Sequence, residues 1–137
     1  MTADNASNPP LLDLDSRKGK APGGYQYMRA RSRVPFIFMN AAGLPRDVEP
    51  LVHEAGHAFH SMVCVDEPLL HYRSSPIEFA EVASMRMELM TMPHWGASGS
   101  FYAEDSAAHA RAMRQQLECS IVLLAWIATI DASQHWI

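Results

Sequence analysis

The sequence predicts a mainly α-helical protein with a small β portion near its N-terminus. Three observations carry this expectation. Apolar residues recur at helical spacing from Val48 onward. The best strand, Val34-Pro35-Phe36-Ile37-Phe38-Met39-Asn40, is short, rich in β-branched and aromatic residues, and precedes that point. Glycine and proline gather at the joints between periodic segments. A length of 137 residues is one domain or part of one. Hydrophobic residues at 48% and charged residues at 19% describe a globular chain rather than a disordered one. Fifteen acidic against 11 basic residues leave a formal charge of −4, which argues against a nucleic-acid or membrane-surface binder. Cys64 and Cys119 are too few for a disulfide framework. The start Met1-Thr2-Ala3-Asp4-Asn5 lacks the pattern of a secretory leader, so the expected location is cytoplasmic.

Taken in order, residues 1–12 have no periodicity and read as an irregular tail, with 13–137 as one partial domain. Asp13 to Gly24 reads as a turn-rich loop, and Tyr25–Met28 as a short strand. Val34–Asn40 is expected at a sheet edge, because Pro35 lacks the ladder N–H. Val48, Leu51, Val52, Ala55, Ala58, Phe59 and Met62 share a helical stripe, with Asp47 as expected N-cap and an end near Val65. A second helix is expected from Pro76 to Met92, with Pro76 in its first turn and Pro93 beyond its end. A Gly/Ser-rich loop over 94–100 leads to a third helix from Tyr102 towards Ser133. Its segment Ile121–Ile127 is apolar on every side, and the wider stretch Leu117–Ile130, at about fourteen residues, reads as a buried core helix rather than a membrane span. The last residues, 131–137, read as the interior of a longer unit.

The chemistry-bearing pattern is His53-Glu54-Ala55-Gly56-His57, an H-E-x-x-H within the first helix. Residues four apart share a helical face, so both imidazoles reach one ion, and Glu54 projects beside it as a base for activated water. Catalytic zinc needs three protein ligands and an open position. Glu81 on the second helix is the expected third ligand, because a short connection makes the two helices an antiparallel pair. Glu78, Glu81, Met85 and Glu88 share one face. Carboxylates on a packing face are costly unless they serve a cation or a hydrogen-bond network. Glu78 and Glu88 are therefore either partners that orient the ligands or members of a solvated face.

Four blocks, in order, resemble the zinc oligopeptidases of the thimet oligopeptidase and oligoendopeptidase F group, peptidase family M3. They are Arg17-Lys18-Gly19-Lys20-Ala21-Pro22-Gly23-Gly24-Tyr25, Pro35-Phe36-Ile37-Phe38-Met39-Asn40, the run from Asp47 to His60, and the run from Glu78 to Leu89. The resemblance spans about Leu12 to Ile137. It implies a portion of a larger helical peptidase fold, with a zincin-like helix pair. It implies one Zn2+ per chain on His53, His57 and Glu81, with Glu54 as general base. It implies short peptides as substrates, bound beside Phe36, Ile37, Phe38, Met39 and Asn40, where a peptide could add to the strand's free edge. In the family, a downstream segment with histidine and tyrosine assists the oxyanion. Tyr25, Tyr27, Tyr72 and Tyr102 lie in no matching context. A non-catalytic zinc-binding remnant is therefore the rival reading.

Other residues admit two readings each. His60 fits the family pattern as a ligand-orienting or substrate-facing group, and equally as a buried core histidine. His71 and Tyr72 precede the second helix, where a loop could reach the cleft. Glu54 and His57 also form an E-x-x-H of the di-iron type, but the second such motif is missing. Met85, Met87, Met90 and Met92 read as packing. Arg86 stands where the family pattern leads one to expect a small residue. The apolar third helix offers a surface for self-association.

Overall fold

The computed structural model describes residues 10–76 and 79–136. Its architecture is mainly helical, with a three-stranded sheet near the N-terminus. The chain divides after Thr91 into two compact units.

The first unit opens with β1 (Leu12–Asp15), β2 (Gly24–Arg29) and β3 (Val34–Ala41). The strand order is β1-β3-β2, with β1 parallel and β2 antiparallel to β3. This corrects two expectations. β3 is the central strand, so the edge placement of Phe36–Asn40 is wrong. Pro35 is nonetheless accommodated: Ile37 N–H donates to Leu11 O, and residues two apart point the same way, so Pro35 faces the flank before β1 begins. The second correction is β1 itself, which replaces the end of the expected tail at Leu12 and the start of the expected loop. Four residues of alternating Leu and Asp are too brief a signal to stand alone. Side chains of the following turn hold them: Lys20 Nζ donates to the carbonyls of Asp13 and Asp15 and to the Asp13 carboxylate, and Arg17 grips that carboxylate with both terminal nitrogens. Hydrogen bonds from Arg17, then Lys20, hold the Asp13 carboxyl well below the usual range. The Lys20 ammonium also lies 4.6 Å from the Phe38 ring centre.

Strand alternation gives the sheet two unlike faces. Tyr25 stacks on Phe38 at 4.9 Å, and Arg29 lies over Phe36, so these side chains share one face. The opposite face carries Gly24, Gln26, Ile37 and Met39. Ile37 and Met39 are buried there. On this face Gly24 approaches Glu54 and Gln26 approaches Ser61, which places the next helix against it.

That helix, α1 (Val48–Val63), follows a single 3-10 turn at Pro45–Asp47. Asp47 does not cap it through its side chain. Its carboxylate instead accepts from the backbone N–H groups of Ala42 and Leu44, at 2.9 and 2.8 Å, and ties down the turn after β3. The next helix, α2 (Ala80–Thr91), starts four residues later than expected, with Phe79 N–H donating to Pro76 O just before it. A 3-10 turn at Leu70–Arg73 interrupts the connecting loop.

In the second unit, a 3-10 turn at Met92–His94 contains Pro93. The rings of Trp95, Tyr102 and His109 follow one another at 6.4 and 6.1 Å, and His109 Nε2 contacts Met92 O at 3.0 Å. α3 (Ser106–Gln134) is capped by Asp105, whose carboxylate accepts from Ala108 N–H at 2.8 Å. The expectation of a buried core helix is corrected here: only 6% of the most apolar 18-residue window of α3 is buried. The sequence specifies apolar surface but not its cover. By length and composition α3 is also long and apolar enough to cross a membrane, a measure that core helices of soluble proteins meet as well.

Candidate functional site

α1 and α2 touch backbone to backbone. Gly56 is buried, and a Cβ there would lie 2.6 Å from Ser84 Cα and 2.9 Å from Ala83 O. Ser84 is fully buried at the same place. Only a glycine allows this approach. It draws the first turn of α2 in close enough for Glu81 to reach both imidazoles of α1. The Ser84 hydroxyl steadies Glu81 further, donating to its carbonyl at 2.8 Å and lying 3.1 Å from Oε2.

His53, His57 and Glu81 each offer one donor atom, and the three lie within 4.8 Å of one another. Glu81 Oε2 is 3.0 Å from His53 Nε2 and 3.5 Å from His57 Nε2. Donors on a tetrahedral zinc, with bonds of about 2.0–2.1 Å, stand about 3.3–3.4 Å apart. The donor set therefore fits a zinc-sized ion in chemistry, and the two separations from Glu81 bracket that spacing. The two imidazole rings stand 4.9 Å apart and nearly perpendicular.

His53 carries a second carboxylate. Its Nδ1–H donates to Glu88 Oε1 at 2.5 Å, and Glu88 is buried. This bond sets the ring and its tautomer, and it leaves Nε2 to face Glu81 and His57. The hydrogen bond to Glu88 raises the His53 pKa, against the opposing effect of burial. Glu49, one turn earlier on α1, has its carboxyl pushed up by burial and then by the charge of Glu88. Sequence reasoning passed over Glu49, although positions 49, 53 and 57 share a face.

Glu54 lies beside the start of β2. A Cβ at Gly24 would sit 3.7 Å from Glu54 Oε1 and 3.4 Å from Phe38 O. Glu54 thus packs against the backbone of β2 at Gly24, a neighbour invisible without the tertiary contact.

The remaining candidates do not join the donor group among the described residues. His60 turns towards the end of α1, with Nε2 3.9 Å from Cys64 Sγ. His71 and Tyr72 sit on the exposed turn Leu70–Arg73, their rings 6.2 Å apart. Glu78 lies outside the described residues. Phe36, Ile37, Phe38, Met39 and Asn40 have strands on both sides, so a peptide cannot add beside them; the outer strands are β1 and β2.

The profile of Peptidase family M3 matches residues 4–133. Oligoendopeptidase F, chromosomal, of Lactococcus lactis subsp. cremoris is 32% identical over 77 residues, covering 56% of this chain and 13% of that protein. Among solved structures, PZ peptidase A with inhibitor 2 is 37% identical, with a TM-score of 0.66 over 73% of this chain and 17% of that one. A candidate oligoendopeptidase F from Bacillus anthracis str. Ames is 41% identical, with a TM-score of 0.61 over 63% of this chain and 16% of that one. The chain thus spans less than a fifth of the length of each of these proteins.

Proposed function

This chain belongs to peptidase family M3, and from that membership we propose that it carries the zinc centre of an endopeptidase that hydrolyses short oligopeptides. The observation that carries the reading is the convergence of His53, His57 and Glu81 with Glu88 seated on the far nitrogen of His53. His53 and His57 would hold one zinc through Nε2, and Glu81 would supply the third, anionic ligand. Glu88 keeps the His53 ring turned towards the ion, and Ser84 keeps the Glu81 carboxylate in place. When bound, zinc supplies a Lewis acid that brings the pKa of water from about 16 to about 7.

Glu54 performs the proton work. It takes the proton of the attacking water and returns it to the leaving amine, so one carboxylate serves both halves of the reaction. Its carboxylate lies beside Gly24, at the start of β2.

The test separates binding from turnover. Glu54→Gln is expected to retain zinc and to lose hydrolysis of a quenched fluorescent peptide by about 10²–10⁴-fold. Unchanged hydrolysis in that variant contradicts the base assignment. The chain spans 13–17% of its relatives' lengths, so zinc bound without any turnover by the wild-type chain would favour the second reading, a zinc-binding remnant.

A further inference from the structure

A cavity of about 250 Å³ lies on the α1 side of β2 and is not used by the zinc centre. Gln26, Arg33, Ser61, Val65, Leu70 and Arg73 line it, and among the described residues no acidic side chain does. Three features point to a ligand. Gln26 presents a buried amide nitrogen with no hydrogen-bond partner, while its Oε1 lies 3.4 Å from the Ser61 hydroxyl. An unmet buried donor is costly, and an acceptor brought by a ligand satisfies it.

Arg33 is the second feature. It closes the β2–β3 hairpin with φ of 53°, a left-handed conformation in which glycine is the default. An arginine there, unlike a glycine, brings a side chain that lines the cavity. One guanidinium nitrogen of Arg33 donates to Val65 O at 2.9 Å, which fixes the group at the cavity wall. Arg73 is the third feature, fixed likewise by donating to Glu67 O at 2.6 Å and to Pro68 O at 3.2 Å. Two anchored guanidinium groups and an unpaired amide, beside Val65 and Leu70, match a carboxylate carried on an apolar body.

The cavity is also placed along the zinc centre's own seam. Ser61 is one turn beyond His57 on α1, about 6 Å along the axis. Gln26 is two residues along β2 from Gly24, against which Glu54 rests, about 7 Å further on. That is the reach of about two peptide residues.

We propose that this cavity binds the C-terminal carboxylate of a peptide ending in an apolar residue. The identity of that peptide as substrate rests on the zinc-peptidase reading; the binding itself does not. The proposal is therefore tested without metal, by calorimetric titration of the EDTA-treated 137-residue chain. The probes are N-acetyl-Ala-Ala-Leu as free acid, the same peptide as C-terminal amide, and isovalerate. The acid is expected to bind at least about tenfold more tightly than the amide, and isovalerate more weakly than the acid. Arg33→Gly, which relieves the backbone strain, is expected to lower affinity for the acid by about tenfold and leave that for the amide unchanged. Equal binding of acid and amide, no binding of either, or undiminished binding of the acid by Arg33→Gly overturns the assignment. Isovalerate binding as tightly as the peptide acid also overturns it, in favour of a small free carboxylate. The acid-against-amide comparison on the wild-type chain stands even if the variant fails to fold.

Discussion

His53 stands between two carboxylates, with Glu88 on Nδ1 and Glu81 on Nε2. One proton on the ring satisfies only one of them, and a cation between Nε2 and Glu81 satisfies the other. This makes Glu88 a positioning residue. Glu88→Gln keeps an acceptor for Nδ1–H but removes the charge behind it. Its zinc affinity is expected to fall about 10–100-fold, as read by competition with a chromophoric chelator. An affinity equal to wild type would reduce Glu88 to a packing role. His53, Glu54 and His57 were legible because four-residue spacing is a local property of a helix. Glu81 and Glu88 were legible as one face of α2, since both lie on it at helical spacing. Gly24 and Glu49 were not, because what they do depends on which strand and which helix lie opposite.

At the scale of elements, the contact between Gly56 and Ser84 sets how closely α1 and α2 approach. Gly56→Ala must force backbone atoms apart, since the new Cβ meets Cα and carbonyl oxygen rather than a flexible side chain. The expected destabilisation is about 1–3 kcal/mol by denaturant unfolding, with weaker zinc binding as the companion effect. A variant as stable as wild type would show that the helices can part without strain. The sheet shows where reading by pattern fails. Proline marked β3 as an edge strand, yet β1 pairs only from Leu11 onward, so the missing N–H of Pro35 falls beyond the ladder. β1 itself is held by Arg17 and Lys20, four and seven residues beyond Asp13, and by pairing with β3, which a four-residue pattern does not announce. Because the Asp13 carboxyl titrates below its ordinary range, its contribution is present above about pH 4 and fades as pH falls towards the folded-state value. Asp13→Asn is expected to melt below wild type at pH 7, with the gap narrowing as pH is lowered beneath 4. A gap that stays constant with pH would remove charge from the explanation of how β1 is held.

For the whole molecule, helical class and the order of elements from β2 onward followed from periodicity, while β1 and burial did not. α3 was expected in a core, and its side chains from Ile121 to Ile130 are instead largely open, with Ile121 at 70% exposure. Periodicity reports which surfaces are apolar; what covers them is a property of the assembled structure. The metal account reaches the whole molecule through linkage, since an ion that binds only the folded chain stabilises it. Zinc at about 100 times its dissociation constant is expected to add about 2.7 kcal/mol, seen as a higher melting temperature in the wild type and none in His57→Ala. An equal rise in both would place the zinc elsewhere. The most direct measurement is elemental analysis of the purified chain and of His53→Ala after dialysis against trace zinc. The account expects one zinc per wild-type chain and loss of that zinc in the variant. Full zinc in His53→Ala would contradict it.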